Sequence, residues 1–378
     1  MYDVAVLGGG IAGGSMAAAL AGMGWHTVLI DQSTFPRHKV CGEFLSPESR
    51  NSLSSLGLEP RIRSLQPVEM NSARLHTALG NSLDIPLPGA ALGVSRYALD
   101  HALHQAALDR GAETHGGMTV LSVNRAGERY EIEIRGRRAS ETIEARAVIG
   151  AWGRNPRSGL ASSLEPAGAN RYVGVKSHYD GLGMEPVVEL YLFSGGYLGI
   201  CPVEGGRHNV AALMTRDVFQ QAGKSVQGAI EMAACLNPAL RRRLALGEPV
   251  SGTEAAVSPV RISRKPAAWG KVPHIGDAAL VIPPLCGDGM AIALHSVVLC
   301  SRWADEFLCG RMTLSDWRHN YTQAMRRDCS SLLRWGKWFQ RLFGNRLLSP
   351  ILIRTGNLMP HLAYRMVLAT RLKSTEGK

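Results

Sequence analysis

The hydrophobic residues at the start of the chain form two short runs on either side of a glycine- and alanine-rich segment. Residues 4–7 are apolar, residues 8–23 are small or apolar, and residues 27–30 are apolar again before Asp31. Uninterrupted short apolar runs are typical of strands that are buried on both faces. The pattern therefore predicts a strand, a glycine turn, a helix and a second strand within the first 31 residues.

The pattern changes to alternation in the middle of the chain. Residues 66–93 contain two alternating segments and a Pro/Gly-rich link, and residues 130–149 alternate as a hairpin. Between these, residues 95–110 repeat apolar positions with helical spacing. Four alternating segments follow between residues 172 and 214. We interpret these four segments as one antiparallel sheet.

The remaining segments read as helices, at residues 216–247, 290–307 and, with an amphipathic pattern, 330–373. Together the elements predict an α/β (α+β) protein of two domains. The first is a Rossmann-like, three-layer ββα nucleotide domain made of residues 1–67, 94–160 and 264–330. The second is an antiparallel-sheet substrate domain made of residues 68–93 and 161–263, and residues 331–378 form a basic C-terminal helical segment.

The net charge of +11 is concentrated at one end of the chain. Residues 326–378 carry 11 lysines and arginines and two acids, a balance of +9. The rest of the chain is nearly neutral, which argues against a nucleic-acid enzyme. Two hypotheses remain for the basic segment. It covers the substrate domain with its arginines in solvent, or it contacts a membrane surface or an acidic carrier protein.

The seven cysteines are scattered, without a CxxC motif or paired spacing. This indicates neither a zinc site nor a disulfide framework and suits a reducing cytosol. Residues 4–25 carry no formal charge, but the five glycines between residues 8 and 14 argue against a signal peptide or membrane helix. We therefore expect a cytoplasmic protein, with membrane association left open.

The glycine turn has the residue types that a dinucleotide requires. Gly8 permits a tight turn, Gly10 leaves room for a pyrophosphate, and Gly13 allows close packing of helix on strand. The helix N-terminus offers free N–H groups and the positive end of its dipole. Asp31, 18 residues after Gly13, can accept both hydroxyls of an adenosine ribose and would repel a 2′-phosphate.

Four motifs together carry a family resemblance. They are the GxGxxG turn, Ser-Arg-x-x-Leu-Asp at residues 95–100, Gly-Asp at residues 276–277, and Phe-Pro-Arg-x-Lys-x-Cys-Gly-Glu-x-Leu-Ser-Pro at residues 35–47. This set resembles the p-hydroxybenzoate hydroxylase-fold flavoproteins. The last motif is similar to the geranylgeranyl reductase-related branch, which also holds natural-product monooxygenases.

The resemblance implies that the cofactor is FAD. Reduction would come from NAD(P)H that docks transiently or from a partner reductase, since the chain has one dinucleotide fingerprint. The implied contacts are Gly8, Gly10 and Gly13 on the pyrophosphate, Asp31 on the ribose, Arg37 and Arg96 on phosphate charge, Gly276 and Asp277 on the ribityl chain, Gly287, Gly289 and Met290 on the pyrimidine edge, and Cys41 and Gly42 beside the flavin ring.

The chain departs from the family at Trp152, where an acid is usual after the alanine of the second glycine turn. This departure puts the usual docking of the pyridine nucleotide in doubt. The Trp-x-Trp-x-Ile-Pro signature of flavin-dependent halogenases is missing, and Trp335 and Trp338 have the wrong spacing to supply it. We therefore expect the protein not to be a halogenase.

Two reactions remain open for a small apolar or aromatic substrate. The leading hypothesis is a monooxygenase that hydroxylates a phenolic or other apolar natural product with reduced flavin and O₂. The alternative is an ene-reductase that saturates a C=C bond of an isoprenoid or polyketide, and a third reading is a flavoprotein-like binding module without catalysis. The candidate catalytic residues are Tyr191, Tyr197, His178 and Cys286. A Cys41–Cys286 pairing is a further hypothesis, although both are more simply small buried residues.

Overall fold

The architecture is taken from a computed structural model. It describes residues 1–137, 139–154 and 172–343, together with the single positions 357, 361, 364, 368, 371 and 372. The hypotheses on residues 344–378 otherwise fall outside the described residues.

The described chain contains fourteen strands. They are β1 (Tyr2–Leu7), β2 (Thr27–Asp31), β3 (Phe44–Leu45), β4 (Val68–His76), β5 (Ser82–Gly93), β6 (Glu113–Gly116), β7 (Thr119–Ala126), β8 (Arg129–Arg135), β9 (Ser140–Gly150), β10 (Tyr172–Asp180), β11 (Val188–Phe193), β12 (Gly196–Pro202), β13 (His208–Thr215) and β14 (Glu248–Val260).

The same residues contain nine α-helices and three short 3₁₀ turns. The helices are α1 (Ile11–Gly22), α2 (Ser49–Ser55), α3 (Glu59–Arg63), α4 (Arg96–Asp109), α5 (Arg216–Gln221), α6 (Val226–Leu236), α7 (Pro238–Leu244), α8 (Gly289–Leu308) and α9 (Leu314–Phe343). The 3₁₀ turns are Glu204–Gly206, Gly276–Ala278 and Pro284–Cys286.

The first sheet has six strands in the order β6-β2-β1-β9-β8-β7. The strands β6, β2, β1 and β9 are parallel, whereas β8 and β7 add antiparallel pairing to β9. Val4 and Val6 of β1 belong to the core under the helices, and Ala5 and Leu7 belong to the core on the other face. Burial on both faces explains the uninterrupted apolar runs, and the α/β fold class is confirmed.

The second sheet has eight strands in the order β14-β10-β13-β12-β11-β4-β5-β3. Its pairs are antiparallel except for β11 with β4, which are parallel. The sequence did not predict β14, whose prolines and glycine are poor strand formers. It is accommodated because β14 is an edge strand that pairs with β10 through two register shifts.

The two faces of this sheet have different partners. One face, through Val175, Leu198 and Tyr191, belongs to the core formed with α6 and α7. The opposite face contacts the loop before β3, since Asn209 Nδ2 donates to Cys41 O at 2.9 Å. We call this second surface the cofactor-facing face. The residue boundaries given above for the two domains stay a prediction, because the crossover at residues 155–171 is outside the described part.

The amphipathic pattern near the C-terminus corresponds, as far as residue 343, to the 30-residue helix α9. Its residues Trp317, Tyr321 and Met325 are fully buried, whereas Trp335 and Trp338 are exposed. Within the described residues, no helix is both long enough and apolar enough to cross a membrane.

Candidate cofactor and substrate site

The glycine turn between β1 and α1 is built by close backbone approach. Gly8 has a φ of +111°, and a Cβ there would lie 2.4 Å from Ala151 O. A Cβ on Gly13 would lie 1.7 Å from Gly8 O. Side chains at either position would overlap backbone atoms that have no room to move, so both glycines are required by the fold itself.

Gly10 is constrained differently. A Cβ at Gly10 would meet only Arg96 Nη2 and Lys39 Nζ, each at 3.5 Å, which is ordinary van der Waals contact. Gly10 is the N-cap residue of α1, and within the described part of the chain no side chain caps that helix end. The free N–H groups of the first turn therefore face two cationic side chains across a gap.

Four cations surround this gap, and we call them the cationic cradle: Arg37, Lys39, Arg96 and Arg154. Three of them contact carboxylates. Arg96 binds Asp100 through two nitrogens at 2.8 and 2.7 Å, Arg154 Nε lies 2.7 Å from Asp277 Oδ2, and Arg37 Nη2 lies 3.6 Å from Asp31. Four cations against three carboxylates leave a positive balance beside the helix N-terminus.

Two donors of the cradle are not satisfied within the described residues. Arg37 Nε is buried without a hydrogen-bond partner among the described residues. The pKa of Lys39 is lowered to about 8, first by burial and then by the charge of Arg96. A doubly charged pyrophosphate would satisfy the orphaned donor and favour the protonated lysine. The residues present therefore fit the phosphates of a dinucleotide.

Asp31 lies at the carboxyl end of β2, as the sequence predicted. Its Oδ2 accepts a hydrogen bond from Gly9 N at 2.6 Å, and its Oδ1 accepts one from Ser33 N at 2.7 Å. Each carboxylate oxygen has a second lone pair. Asp31 can thus hold the glycine turn and still accept a hydroxyl group of a ribose.

The predicted residues of the late motifs lie against the same turn. A Cβ on Gly276 would lie 2.8 Å from Ala12 Cβ, which places the 276–278 turn on α1. The pKa of Asp277 is raised by burial, but the neighbouring Arg154, Lys39 and Arg96 hold it below its ordinary value. Asp277 is therefore a carboxylate that can accept hydrogen bonds from a polyol.

The loop before α8 supplies the other predicted contacts. Gly287 has a φ of +72°, in the left-handed region, and it packs on the ring of Phe44. Gly289 and Met290 begin α8, and no atom of the described residues lies within 4 Å of a Cβ added to Gly289. The N-terminus of a 20-residue helix with space in front of it suits a polar cofactor edge.

Cys41 and Gly42 lie in the loop that joins the cradle to the second sheet. Cys41 is half-buried with a free thiol, and Gly42 has open space around its Cα. The side chain of Cys286 is outside the described residues, so its catalytic role and the Cys41–Cys286 pairing stay predictions.

The cofactor-facing face of the second sheet has a polar half. Lys176 and His178 of β10 pair laterally with Ala211 and Asn209 of β13, so all four side chains point the same way. The Glu43 carboxylate meets them from the loop, with Oε1 3.2 Å from Lys176 Nζ and Oε2 2.7 Å from His178 Nε2. Glu43, Lys176 and His178 are almost entirely inaccessible to solvent.

This polar cluster touches the cationic cradle directly. Glu43 Oε1 also accepts a hydrogen bond from the backbone N of Arg96 at 3.0 Å. Although burial raises the pKa of Glu43, hydrogen bonding to His178 and the charge of Lys176 hold it below its ordinary value. One residue thus joins the cradle to the substrate sheet. The sequence singled out His178, and the motif at residues 35–47 contains Lys39, whose basic loop was expected to meet phosphates, and Glu43, to which no role was given. No role was predicted for Lys176 or Arg154.

The other half of the face is apolar. Tyr197 pairs with Leu192, and Leu190 pairs with Leu75, which in turn pairs with Leu83. These five side chains and Ile85 pack into one cluster that includes Leu285 from the loop before α8. We call this cluster the apolar patch. It connects the substrate sheet to the predicted pyrimidine end of the cofactor site.

Tyr191 lies on the face opposite the other candidates. Its ring stacks on His76 at 4.8 Å, and its hydroxyl donates to Glu189, which Arg243 also binds at 2.8 and 3.0 Å. The three groups hold β11 on the helices α6 and α7. This geometry gives Tyr191 a packing role, away from the cradle.

Trp152 packs on the end of the first sheet. Its ring meets His274 edge-on at 5.1 Å, and a Cβ on Gly150 would lie 2.4 Å from the Trp152 ring. The half-buried indole therefore packs against the core of the first sheet, and the docking of a pyridine nucleotide stays a prediction.

Comparison with known proteins decides the identity of the cradle. The family described as FAD binding domain matches residues 1–307. The chain belongs to this FAD binding domain family. Membership and the fit of the cradle together identify FAD as the cofactor, and the protein is an FAD-dependent oxidoreductase of this family.

The proteins similar to this FAD binding domain protein include two named reductases and a flavin-dependent brominase. The menaquinone reductase of Mycobacterium tuberculosis is 25% identical over 80% of this chain and 76% of its own. The digeranylgeranylglycerophospholipid reductase of Methanocaldococcus jannaschii is 24% identical over 97% and 87%, respectively. Among solved structures, the flavin-dependent brominase Bmp2 superposes with a TM-score of 0.80 at 19% identity, covering 100% of this chain and 96% of the brominase.

Proposed function

We propose that this protein is an FAD-dependent reductase that saturates a C=C bond of an apolar, isoprenoid-type substrate. This proposal reverses the order of the two hypotheses drawn from the sequence. The two reductases above act, by name, on menaquinone, a quinone with an isoprenoid chain, and on a digeranylgeranyl lipid. The likeness to the brominase, at 19% identity, supports the fold alone.

The apolar patch is the observation that carries the proposal. Its leucines and isoleucine come from β4, β5 and β11 and continue to Leu285 beside the cofactor site. Gly199 and Ala211 lie next to Leu190 on the neighbouring strands β12 and β13. We call this stretch of the cofactor-facing face the floor, and its two side chains are no larger than a methyl group. An apolar chain laid across this floor would bury its surface at about 25 cal/mol per Å² of apolar area.

The chemistry is divided between cofactor and protein. Reduced FAD, when bound, supplies an electron pair and one hydrogen to the double bond. The patch would position the alkene and exclude water from it. The cradle would hold the phosphates, and Asp277 would hold the ribityl hydroxyls at the C-terminal end of the first sheet's parallel strands.

The test is an anaerobic single turnover. FAD-loaded protein is reduced chemically and mixed with geranylgeranyl diphosphate or menaquinone under nitrogen. We expect flavin absorbance to return with the substrate present. After any quinol has been reoxidised in air, the product should still be heavier by two hydrogens in mass spectrometry. If the flavin stays reduced with both probes, or returns without a heavier product, the proposal is wrong.

A matched pair of variants ties the reaction to the patch. Leu190→Asn puts a polar group into the patch, whereas Leu79→Asn makes the same change at a leucine that is 68% exposed in the turn after β4. We expect the substrate-dependent rate of the first variant to fall at least about tenfold, because losing the contact of even one buried methylene group has an effect of this size. The second should match the parent protein.

Hydroxylation by O₂ is the second candidate. It is favoured by the buried Glu43–His178 pair, which could accept the proton of a phenol lying on the patch. The same reduced protein, mixed with a phenolic substrate in aerated buffer, would then yield a product heavier by one oxygen. Adding bromide to this mixture checks the halogenase class, for which the tryptophan signature is missing.

A further inference from the structure

A chain of ionisable side chains runs from the surface into the polar half of the cofactor-facing face. His38 is partly exposed and stacks on the exposed Tyr97 at 4.8 Å. Its Nδ1 lies 3.2 Å from Lys176 Nζ. Lys176 Nζ lies 3.2 Å from Glu43 Oε1 and 3.0 Å from His178 Nε2. Every step is within hydrogen-bond distance, so the path from solvent to His178 is continuous.

One fixed set of hydrogens cannot satisfy this cluster. His178 Nε2 lies 2.7 Å from Glu43 Oε2 and 3.0 Å from Lys176 Nζ. With a hydrogen on Nε2, His178 donates to Glu43 and cannot accept from Lys176. Without that hydrogen, it accepts from Lys176 or from a protonated Glu43. The two arrangements differ by the transfer of one proton between atoms that already touch.

The other ring nitrogen of His178 is unpaired among the residues that the structure describes. Nδ1 is buried and makes no hydrogen bond within the described residues. In the tautomer that carries its hydrogen on Nδ1, the Nδ1–H group is a buried donor without an acceptor among the described residues, which is unfavourable. The ring therefore favours passing a proton from Nδ1 to a group bound on the same face.

We propose that His38, Lys176, Glu43 and His178 form a proton relay that delivers a proton from His178 Nδ1 to a carbon of the substrate. This inference rests on the proposed reduction of a double bond. One alkene carbon receives the electron pair and a hydrogen from the reduced cofactor, which becomes oxidised. The other carbon forms its C–H bond with the Nδ1 proton, and that N–H bond breaks. As Nδ1 releases this proton, Glu43 or Lys176 passes one to Nε2, so the ring stays neutral, and solvent replaces the donated proton through His38. After the product leaves, Nδ1 takes up a proton from water and Nε2 gives its proton back to the relay, which restores the starting tautomer.

The charges around the relay suit proton transfer. Burial lowers the pKa of Lys176, although Glu43 opposes this, so the lysine releases its proton more readily than an exposed one. The pKa of His38 is lowered to about 4 by burial, then by Lys176 and His178, which keeps it a neutral acceptor at neutral pH. Arg207 faces His38, and Arg96 and Cys41 face Lys176; Thr253 and Asn209 add uncharged polar contacts.

The first experiment compares two relay variants with a control. Lys176→Met and Glu43→Gln keep the size of the side chain but break the relay. Glu189→Gln makes the same change at a buried, ion-paired acid on the opposite face of the sheet. In the anaerobic turnover with geranylgeranyl diphosphate, the rate of the relay variants should fall about 100-fold or more, and the pH dependence of that rate should change. Their affinity for FAD should stay unaltered. Wild-type rates should fall in D₂O.

The second readout needs neither substrate nor cofactor. In ¹⁵N NMR spectra of histidine-labelled apoprotein, His178 should populate both tautomers, and Glu43→Gln should leave one. Lys176→Met should raise the pKa of His38, because it removes a positive charge. The relay is wrong if His178 of the wild-type protein shows a single tautomer. It is also wrong if the relay variants turn over at the wild-type rate, or no more slowly than Glu189→Gln.

The two readouts separate the relay from the function beneath it. If wild-type protein reduces neither probe alkene, the proposed reduction fails, and the NMR titration still judges the relay. If the alkene is reduced equally well by the relay variants, the reduction stands and the relay is wrong.

Discussion

The replacement Gly10→Ala separates the needs of the cofactor from those of the fold. The added Cβ would make ordinary contacts of 3.5 Å with Arg96 Nη2 and Lys39 Nζ and would overlap no backbone. The apoprotein should therefore fold as before. The methyl group would, however, point into the cradle, between its cations and the N–H groups at the start of α1.

The expected loss follows from the hydrogen bonds that the methyl group would displace. A hydrogen bond to a charged group contributes roughly 1.5–3 kcal/mol. If two bonds from the helix N-terminus to the pyrophosphate are lost, FAD binding weakens by about 3–6 kcal/mol. Each 1.4 kcal/mol is tenfold, so Kd should rise by roughly two to four orders of magnitude.

The assay is titration of apoprotein with FAD, followed by flavin fluorescence, beside thermal unfolding of the apoprotein. Gly22→Ala is the control, since it adds the same methyl group to the same helix near the flexible side chain of Arg110. It should bind FAD normally. A folded Gly10→Ala protein with the parent Kd would refute the placement of the pyrophosphate in the cradle.

Three other predictions concern the cradle and its surroundings. Gly13→Ala should prevent folding, visible as lost cooperative unfolding, because its Cβ would lie 1.7 Å from Gly8 O; a stable variant would contradict this packing. The pKa of Lys39 is lowered to about 8, and a bound pyrophosphate favours its charged form, so FAD affinity should fall as pH rises through about 8. Lys39→Met should bind more weakly with a flatter pH profile in the same titration; an unchanged slope would exclude Lys39. Burial raises the pKa of Asp288 from 3.8 to about 7, although the charge of Arg371 opposes this shift. The folded protein therefore binds a proton at Asp288 more tightly than the unfolded chain does. Stability present below pH 3.8 should be lost as pH rises through about 7, and Asp288→Asn should remove that part of the pH dependence of Tm.

Much of the first sheet and its glycine turn could be read from the sequence. The strands β1 and β2 have short apolar runs because both faces are buried, and Gly8 and Gly13 are needed where backbones meet. The approach of Gly13 to Gly8 joins residues close in the chain and leaves a local pattern, whereas the contact of Gly8 with Ala151 joins distant residues. The relation to the FAD binding domain family, suspected from four motifs, is confirmed over residues 1–307.

The second sheet could be predicted as antiparallel but not in its order or its faces. The parallel pairing of β11 with β4 joins segments that are far apart in the chain. That register places Leu190 beside Leu75 and leaves Tyr191 on the opposite face. Alternation shows that a strand has two faces, but not which face meets the cofactor domain.

The sequence by itself determined the cofactor class, through a turn whose glycines, helix and acid lie within 31 residues. Only the tertiary structure decided which charges meet. Arg154 and Asp277 are 123 residues apart, and Lys176 and Glu43 are 133 apart, yet each pair is in contact. Strand register and loop packing bring such pairs together, and burial then makes their charges costly unless paired. No local pattern records a contact of this kind, so the candidate relay could be seen only in the folded chain.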